Sequence, residues 1–158
     1  MKRFGPLELP ANALVLGDSA GSHVELTPAA LVLRRFEADA RHIPWTDVTS
    51  ATLRVAETRF RWPGLATTVV IGLLAGIAGD WGLGSDEPDE GEITIALRDG
   101  SVLTAPLTRH HVGGYWVRTV RAASALLRRM VDDPASRSLL ATPERLIDLL
   151  ARRQNGLS

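Results

Sequence analysis

A mainly β fold followed by C-terminal helices, an α+β arrangement, is what this sequence predicts, and three observations predict it. From Val24 to Leu53 short apolar-alternating runs are separated by turn residues, the period-two pattern of strands with one buried face. Asp99-Gly100 lies between two β-prone runs, the strongest short-range hairpin signal, because Gly tolerates the positive φ that a tight turn needs. From Tyr115 to Val131 apolar residues recur at spacings of three and four, which makes one stripe along a helix.

Taken in order, Ala13 to Gly17 is a short apolar run that ends in the turn-rich cluster Asp18-Ser19-Ala20-Gly21-Ser22. His23 to Leu26 resumes an extended pattern, and Pro28 presets φ for a turn. Leu31 and Leu33 alternate with Val32 and Arg34, which predicts a strand with one buried face. Ala40 to Pro44 reads as a short strand with Ile43 inward and Pro44 at an edge or end. Trp45 to Val48 is too short for a helix and reads as a corner that plugs the sheet. Thr49 to Phe60, rich in β-branched residues, reads as one longer strand. Glu92–Leu97 and Val102–Leu107 are the two arms of the Asp99-Gly100 hairpin. In the helix of residues 115–131 the stripe is Trp116, Val120, Ala123, Leu127 and Met130, and Asp132-Asp133-Pro134 stops it because Pro cannot continue a helix. A second helix begins at Thr142, a good N-cap, with Pro143 at its first position, and ends before Asn155-Gly156.

Composition excludes several function classes. The 158 residues carry 18 basic and 18 acidic side chains, so bulk attraction to nucleic acid or an acidic membrane is not expected. Locally the charge is uneven: residues 80–99 hold seven acids and one Arg, whereas residues 109–129 hold five Arg and no acid. No cysteine is present, which removes disulfides, thiolate metal sites and a Cys nucleophile and fits a cytoplasmic setting. Lys2 is the one lysine, and this Arg bias with abundant Ala, Leu and Gly reads as the mark of a GC-rich genome. MKRFGPLELP lacks the apolar core of a signal peptide, so no secretory leader is expected there.

The phrase LTPAALVLRR…ARHIPWTDVTSATL, and the order of short strands followed by an amphipathic helix, resembles the bacterial pleckstrin-homology-like (PH-like) domains over residues 7–131. In those domains a meander ends in a similar Ile-Pro-Trp-x-x-Ile/Val segment. The resemblance implies a partly open, orthogonally packed barrel of seven antiparallel strands capped by the helix. It also implies binding and scaffolding rather than catalysis. The PH-like domain would span residues 1–133, with an apolar insert at 63–84 and an acidic loop at 85–92, and a helical tail would follow at 134–158. Lipid-reading members place cations in the first hairpin loop. Here that loop is Asp18 to Ser22, and one Asp without a cation argues against a phosphoinositide ligand.

The insert is the feature that decides membrane association. Leu65 to Gly79 is 15 residues without charge, about 22 Å as a helix against a hydrocarbon core of ~30 Å. Gly72 and Gly76 form GxxxG, a spacing that lets helix backbones approach in a membrane. Three readings stand side by side: a buried soluble element, an interfacial hook or self-association surface, and a single membrane span. The residues that would make the membrane or self-association contact are Val69, Val70, Ile71, Gly72, Leu73, Leu74, Gly76 and Ile77, with Trp81 as an interfacial anchor.

Candidates for chemistry are few. Gly17-Asp18-Ser19-Ala20-Gly21 matches G-x-S-x-G and resembles the nucleophile elbow of an esterase. An elbow must open a helix, and the residues that follow read as strand, turn and strand, so a hairpin turn is the better reading. His110-His111 are adjacent and point apart, so they cannot chelate one ion together. The acidic run of residues 86–92 lacks the spacing of a calcium loop. No catalytic, cofactor-binding or metal residue is therefore assigned. Arg118, Arg121, Arg128 and Arg129 fall within about 100° on a helical projection, opposite the apolar stripe, and form a face for an anionic partner. The expectation is a non-enzymatic binding or assembly module with a protein partner or a second copy of itself, or a membrane surface. Nucleic acid is not expected, for want of aromatic interleaving. The expected setting is cytoplasmic, with membrane association as the alternative that the insert leaves open.

Overall fold

In the computed structural model of this chain, which describes residues 2–11, 13–35, 39–58, 90–109 and 114–155, the apolar runs and turn clusters of the first third become an antiparallel meander. Its strands are β1 (Lys2–Phe4), β2 (Leu7–Leu9), β3 (Leu14–Gly17), β4 (His23–Leu26), β5 (Ala30–Arg34) and β6 (Arg41–Pro44), hydrogen-bonded in that order. The β4–β5 turn is closed by Thr27, whose amide and hydroxyl both donate to the Ala30 carbonyl.

The chain leaves the meander through a single 3-10 turn, Trp45–Asp47. Trp45 is buried, and its indole N–H donates to the Thr27 carbonyl at 2.7 Å. The aromatic body thus fills the corner while its polar tip is satisfied. Beyond it, β7 (Val48–Arg54), β9 (Glu90–Leu97) and β10 (Val102–Thr108) form a second antiparallel sheet in the order β10-β9-β7. A bulge between Val48 and Ser50 shifts the β7 register. The Asp99-Gly100 hairpin is present with a three-residue loop: Val102 pairs with Ala96, and the Leu97 amide donates to the Ser101 carbonyl. Gly100 alone in that loop has positive φ, at +87°, as a type I turn followed by a left-handed residue requires.

The two-residue strands β8 (Glu57–Thr58) and β11 (Tyr115–Trp116) pair in parallel, and β11 leads into helix α1 (Val117–Asp132). A 3-10 helix, Pro134–Ala141, and helix α2 (Pro143–Asn155) follow. The molecule is therefore mainly antiparallel β with C-terminal helices, and no closed barrel forms among the described residues.

One buried cluster runs through all of these parts. It takes Leu7, Leu16, Val24 and Leu31 from the first sheet and Ile93, Ile95 and Leu107 from the second. Trp45 at the corner, Ala123, Leu127 and Met130 from α1, and Leu140, Leu146 and Ile147 from the tail complete it. The sheets are also tied outside the core. Asp18 and Thr108 join the β3–β4 loop to the end of β10 by an amide-to-carbonyl bond of 2.9 Å, and the Thr108 amide returns to the Ser22 carbonyl at 2.8 Å.

Several expectations are corrected. The hairpin β1–β2 arises in a stretch where no strand is anticipated, because each strand has three residues, too few to show alternation. In β5, Val32 is as buried as Leu31 and Leu33. The register puts Val32 on the outer face with Val15, Glu25 and Arg34, and the last two form an ion pair at 3.2 Å on that face. The strand expected over Thr49–Phe60 stops at Arg54, after which the chain departs from β9 to pair with β11. The described strands number eleven rather than seven, several being only two or three residues long. The apolar insert, the part of the acidic loop at 85–89, and His110 and His111 lie outside the described residues.

Candidate docking surface on helix α1

Helix α1 has two chemically distinct sides. Val120, Ala123, Leu127 and Met130 of the stripe read from the sequence are buried, with Leu126 beside them, and this face closes the core. Trp116, expected in the same stripe, is half-buried in β11 ahead of the helix, which starts at Val117 rather than Tyr115. Thr119 is buried with the stripe at the first turn and donates its hydroxyl to the Trp116 carbonyl at 2.7 Å. The helix ends where Asp133 stops the chain and Arg137 reaches back. The Arg137 guanidinium donates to the carbonyls of Met130 and Val131 at 2.8 and 3.2 Å. It satisfies acceptors that a helix C-terminus leaves without partners.

The opposite side carries Arg118, Arg121, Arg128 and Arg129, all exposed. Three of the four converge. Arg118, Arg121 and Arg129 line a groove of ≈ 760 Å³ between α1 and the helical tail. Ala122, Ala125 and Leu126 of α1 complete its near side, and Leu139, Leu146, Leu149 and Leu150 of the tail form the far side. Among the described residues no acidic side chain lines it. Leu139 and Leu149 are 36% and 55% exposed, an unusual placement for leucines that sit together in one concavity.

Arg128 goes elsewhere. Its flank of α1 is the one packed against β7 rather than against the tail. Arg128 lines the other flank, a groove of ≈ 440 Å³ shared with Ser124, Val131, Asp132 and residues Thr49 to Leu53 of β7. The basic face expected as one surface is thus divided between an apolar groove and a hydroxyl-rich one.

The arginines of the apolar groove are held differently. The Arg118 guanidinium lies 5.5 Å from the centre of the Trp116 ring, a cation–π distance. Arg129 donates to the Ser136 hydroxyl at 2.7 Å, and Ser136 in turn donates to Asp133. That hydroxyl, with the amides of Ala135 and Ser136, holds the Asp133 carboxyl below its ordinary range. Arg121 has no side-chain partner among the described residues and is the arginine with the least to lose on meeting an anion.

The other candidates from the sequence fall apart as sites. Ser19 sits in the turn between antiparallel β3 and β4, and its amide donates to Glu8 at 2.8 Å. It is not on a strand-to-helix elbow. His23 Nδ1 faces the Gly21 carbonyl at 2.8 Å, and His42 is exposed on β6. Among the described residues no three metal-binding side chains come together. Val69, Val70, Ile71, Gly72, Leu73, Leu74, Gly76, Ile77 and Trp81 lie outside the described residues. Within the described residues no helix is long and apolar enough to cross a membrane.

The leucine wall is what sequence reasoning missed. Leu149 and Leu150 were legible as apolar residues of a second helix, but nothing local says which of them stays uncovered. No family model, no curated protein and no solved structure matches this chain.

Proposed function

We propose that this chain is a non-enzymatic binding or assembly module, a PH-like roll whose docking surface is the outer flank of α1. One observation carries the reading: three arginines and a set of partly exposed leucines are gathered into one groove, with no acid in its lining among the described residues. Guanidinium groups around an apolar floor favour a partner with both apolar and anionic groups. The PH-like architecture is supported by the two antiparallel sheets, the Trp45 corner between them and the helix packed on the second sheet.

A protein partner is favoured over a membrane at this surface because the groove is concave, and a flat lipid surface would not reach its floor. Membrane contact through residues 69–81 remains a separate reading that belongs to the insert, as does a single span there. The esterase alternative draws no support from Ser19, whose turn position and bond to Glu8 differ from an elbow.

The test is site-specific photo-crosslinking in cells that produce the chain. The photoreactive residue is placed at Leu149 in the groove or, for comparison, at Val102, which is 61% exposed on β10. Discrete adducts from position 149 that disappear with Arg121→Glu are expected. The same adducts from both positions, or none from 149, would contradict the reading.

A further inference from the structure

We propose that the occupant of the groove between α1 and the tail is a single acidic amphipathic α-helix supplied by another protein. This rests on the docking reading above and specifies its ligand.

The walls dictate the form of the occupant. Both sides of the groove are helical, and helices consume their own backbone donors and acceptors in the interior turns. An extended peptide laid over Leu126, Leu139 and Leu149 would find no backbone partners and would leave its own polar groups unsatisfied against apolar carbon. A helix satisfies them internally. The lining on α1 runs from Arg118 to Arg129, about 16 Å or three turns at the rise of an α-helix. Along that line Arg118, Ala122, Ala125 and Arg129 succeed one another at spacings of four, three and four. The two alanines in the middle let a helix axis approach to about 8 Å, while the arginines stand at the two ends. Leu146, Leu149 and Leu150 face them from α2 at helical spacing.

Charge dictates the rest. With three guanidinium groups and no carboxylate in the lining among the described residues, the complement is a helix whose apolar stripe is flanked by Asp or Glu. A second copy pressing the same groove against this one would set arginine against arginine, and so disfavours itself. The resulting interaction is salt-sensitive, because the charges sit on an open rim.

The experiment selects the ligand rather than assuming it. Random peptides of about 16 residues, enough to span the ~12 positions from Arg118 to Arg129, are displayed on phage and panned against the full chain. Enriched peptides are then measured by fluorescence anisotropy against wild type, Leu149→Asp, Leu149→Ala, Arg121→Glu and Arg121→Lys. Leu149 and Arg121 are both exposed, and circular dichroism verifies that each variant folds. The proposal expects acidic peptides with apolar residues at i, i+3 or i+4, and i+7 that become helical on binding. It expects losses on the order of tenfold with Leu149→Asp and Arg121→Glu, a smaller loss with Leu149→Ala, and retention with Arg121→Lys.

Enrichment of basic or extended peptides overturns the helix proposal. If those peptides still lose binding with Leu149→Asp, the docking reading survives. No enriched peptide, together with a Leu149→Asp effect on self-association by light scattering or on flotation with phosphatidylglycerol vesicles, identifies a second copy or a membrane as occupant and also overturns it. Indifference of every probe to Leu149→Asp removes both the proposal and the docking reading.

Discussion

Glu8 is the charged side chain that burial reaches among the described residues, with no exposed surface. Burial alone would raise its carboxyl. The Ser19 hydroxyl and amide and the Arg3 guanidinium outweigh that and hold it below the ordinary carboxylate range. Its two oxygens accept from Arg3 Nε and the Ser19 amide, both at 2.8 Å, so one side chain pins β1, β2 and the β3–β4 loop. Because the folded value is depressed, the stabilisation is full above the unfolded value of about 4.3 and is lost as pH falls through the lower folded value. Glu8→Gln is expected to cost about 2 kcal/mol near pH 7, the usual value of hydrogen bonds to a charged group. Urea unfolding should show that gap narrowing as pH falls below the ordinary carboxylate range. A gap that stays constant, or widens in acid, would mean the charge is not what holds the loop.

Among the elements, the tail is the one whose role was hardest to read. PASRSLLA, residues 134–141, forms a 3-10 helix that no 3.6-residue period announces, since Leu139 and Leu140 are its only large apolar residues. What fixes it is tertiary: Leu140 enters the core, and the Arg137 guanidinium caps α1 and lies 5.7 Å from the centre of the Trp45 ring. One side chain therefore links α1, the 3-10 helix and the corner between the sheets. Arg137→Ala should lower stability by about 2 kcal/mol, through two lost charge-assisted bonds and a lost cation–π contact. Arg137→Lys should recover less than half, because an ammonium cannot serve two carbonyls and a ring with one planar group. Thermal unfolding of the pair distinguishes geometry from mere charge. By contrast, the Asp99-Gly100 hairpin and the buried stripe of α1 were legible in sequence because local chemistry determines them: a glycine that permits positive φ, and apolar residues at helical spacing.

At the scale of the whole molecule, the arginines of the proposed docking surface could be read from residues 109–129, but the groove could not. A groove needs a second wall, and whether Leu149 and Leu150 face Arg118 and Arg121 depends on how two helices cross, which no run of residues encodes alone. The division of the basic face follows from the same cause: β7 takes one flank of α1 and the tail takes the other. The pattern of strands survives this test better than their count, because short strands such as β1 and β8 are defined by their neighbours rather than by alternation. The proposed docking function rests on the tail being part of the common core, with Leu140, Leu146 and Ile147 buried beside α1 and the sheets. A tail that only grazed the domain would offer no standing groove. Native-state hydrogen exchange, followed residue by residue by NMR on the free chain, tests this most directly. The account predicts that the amides of Ile147 and Leu150 are protected to within about tenfold of those of Leu31 and Leu33 in β5; exchange at the rate of an unstructured peptide would contradict it.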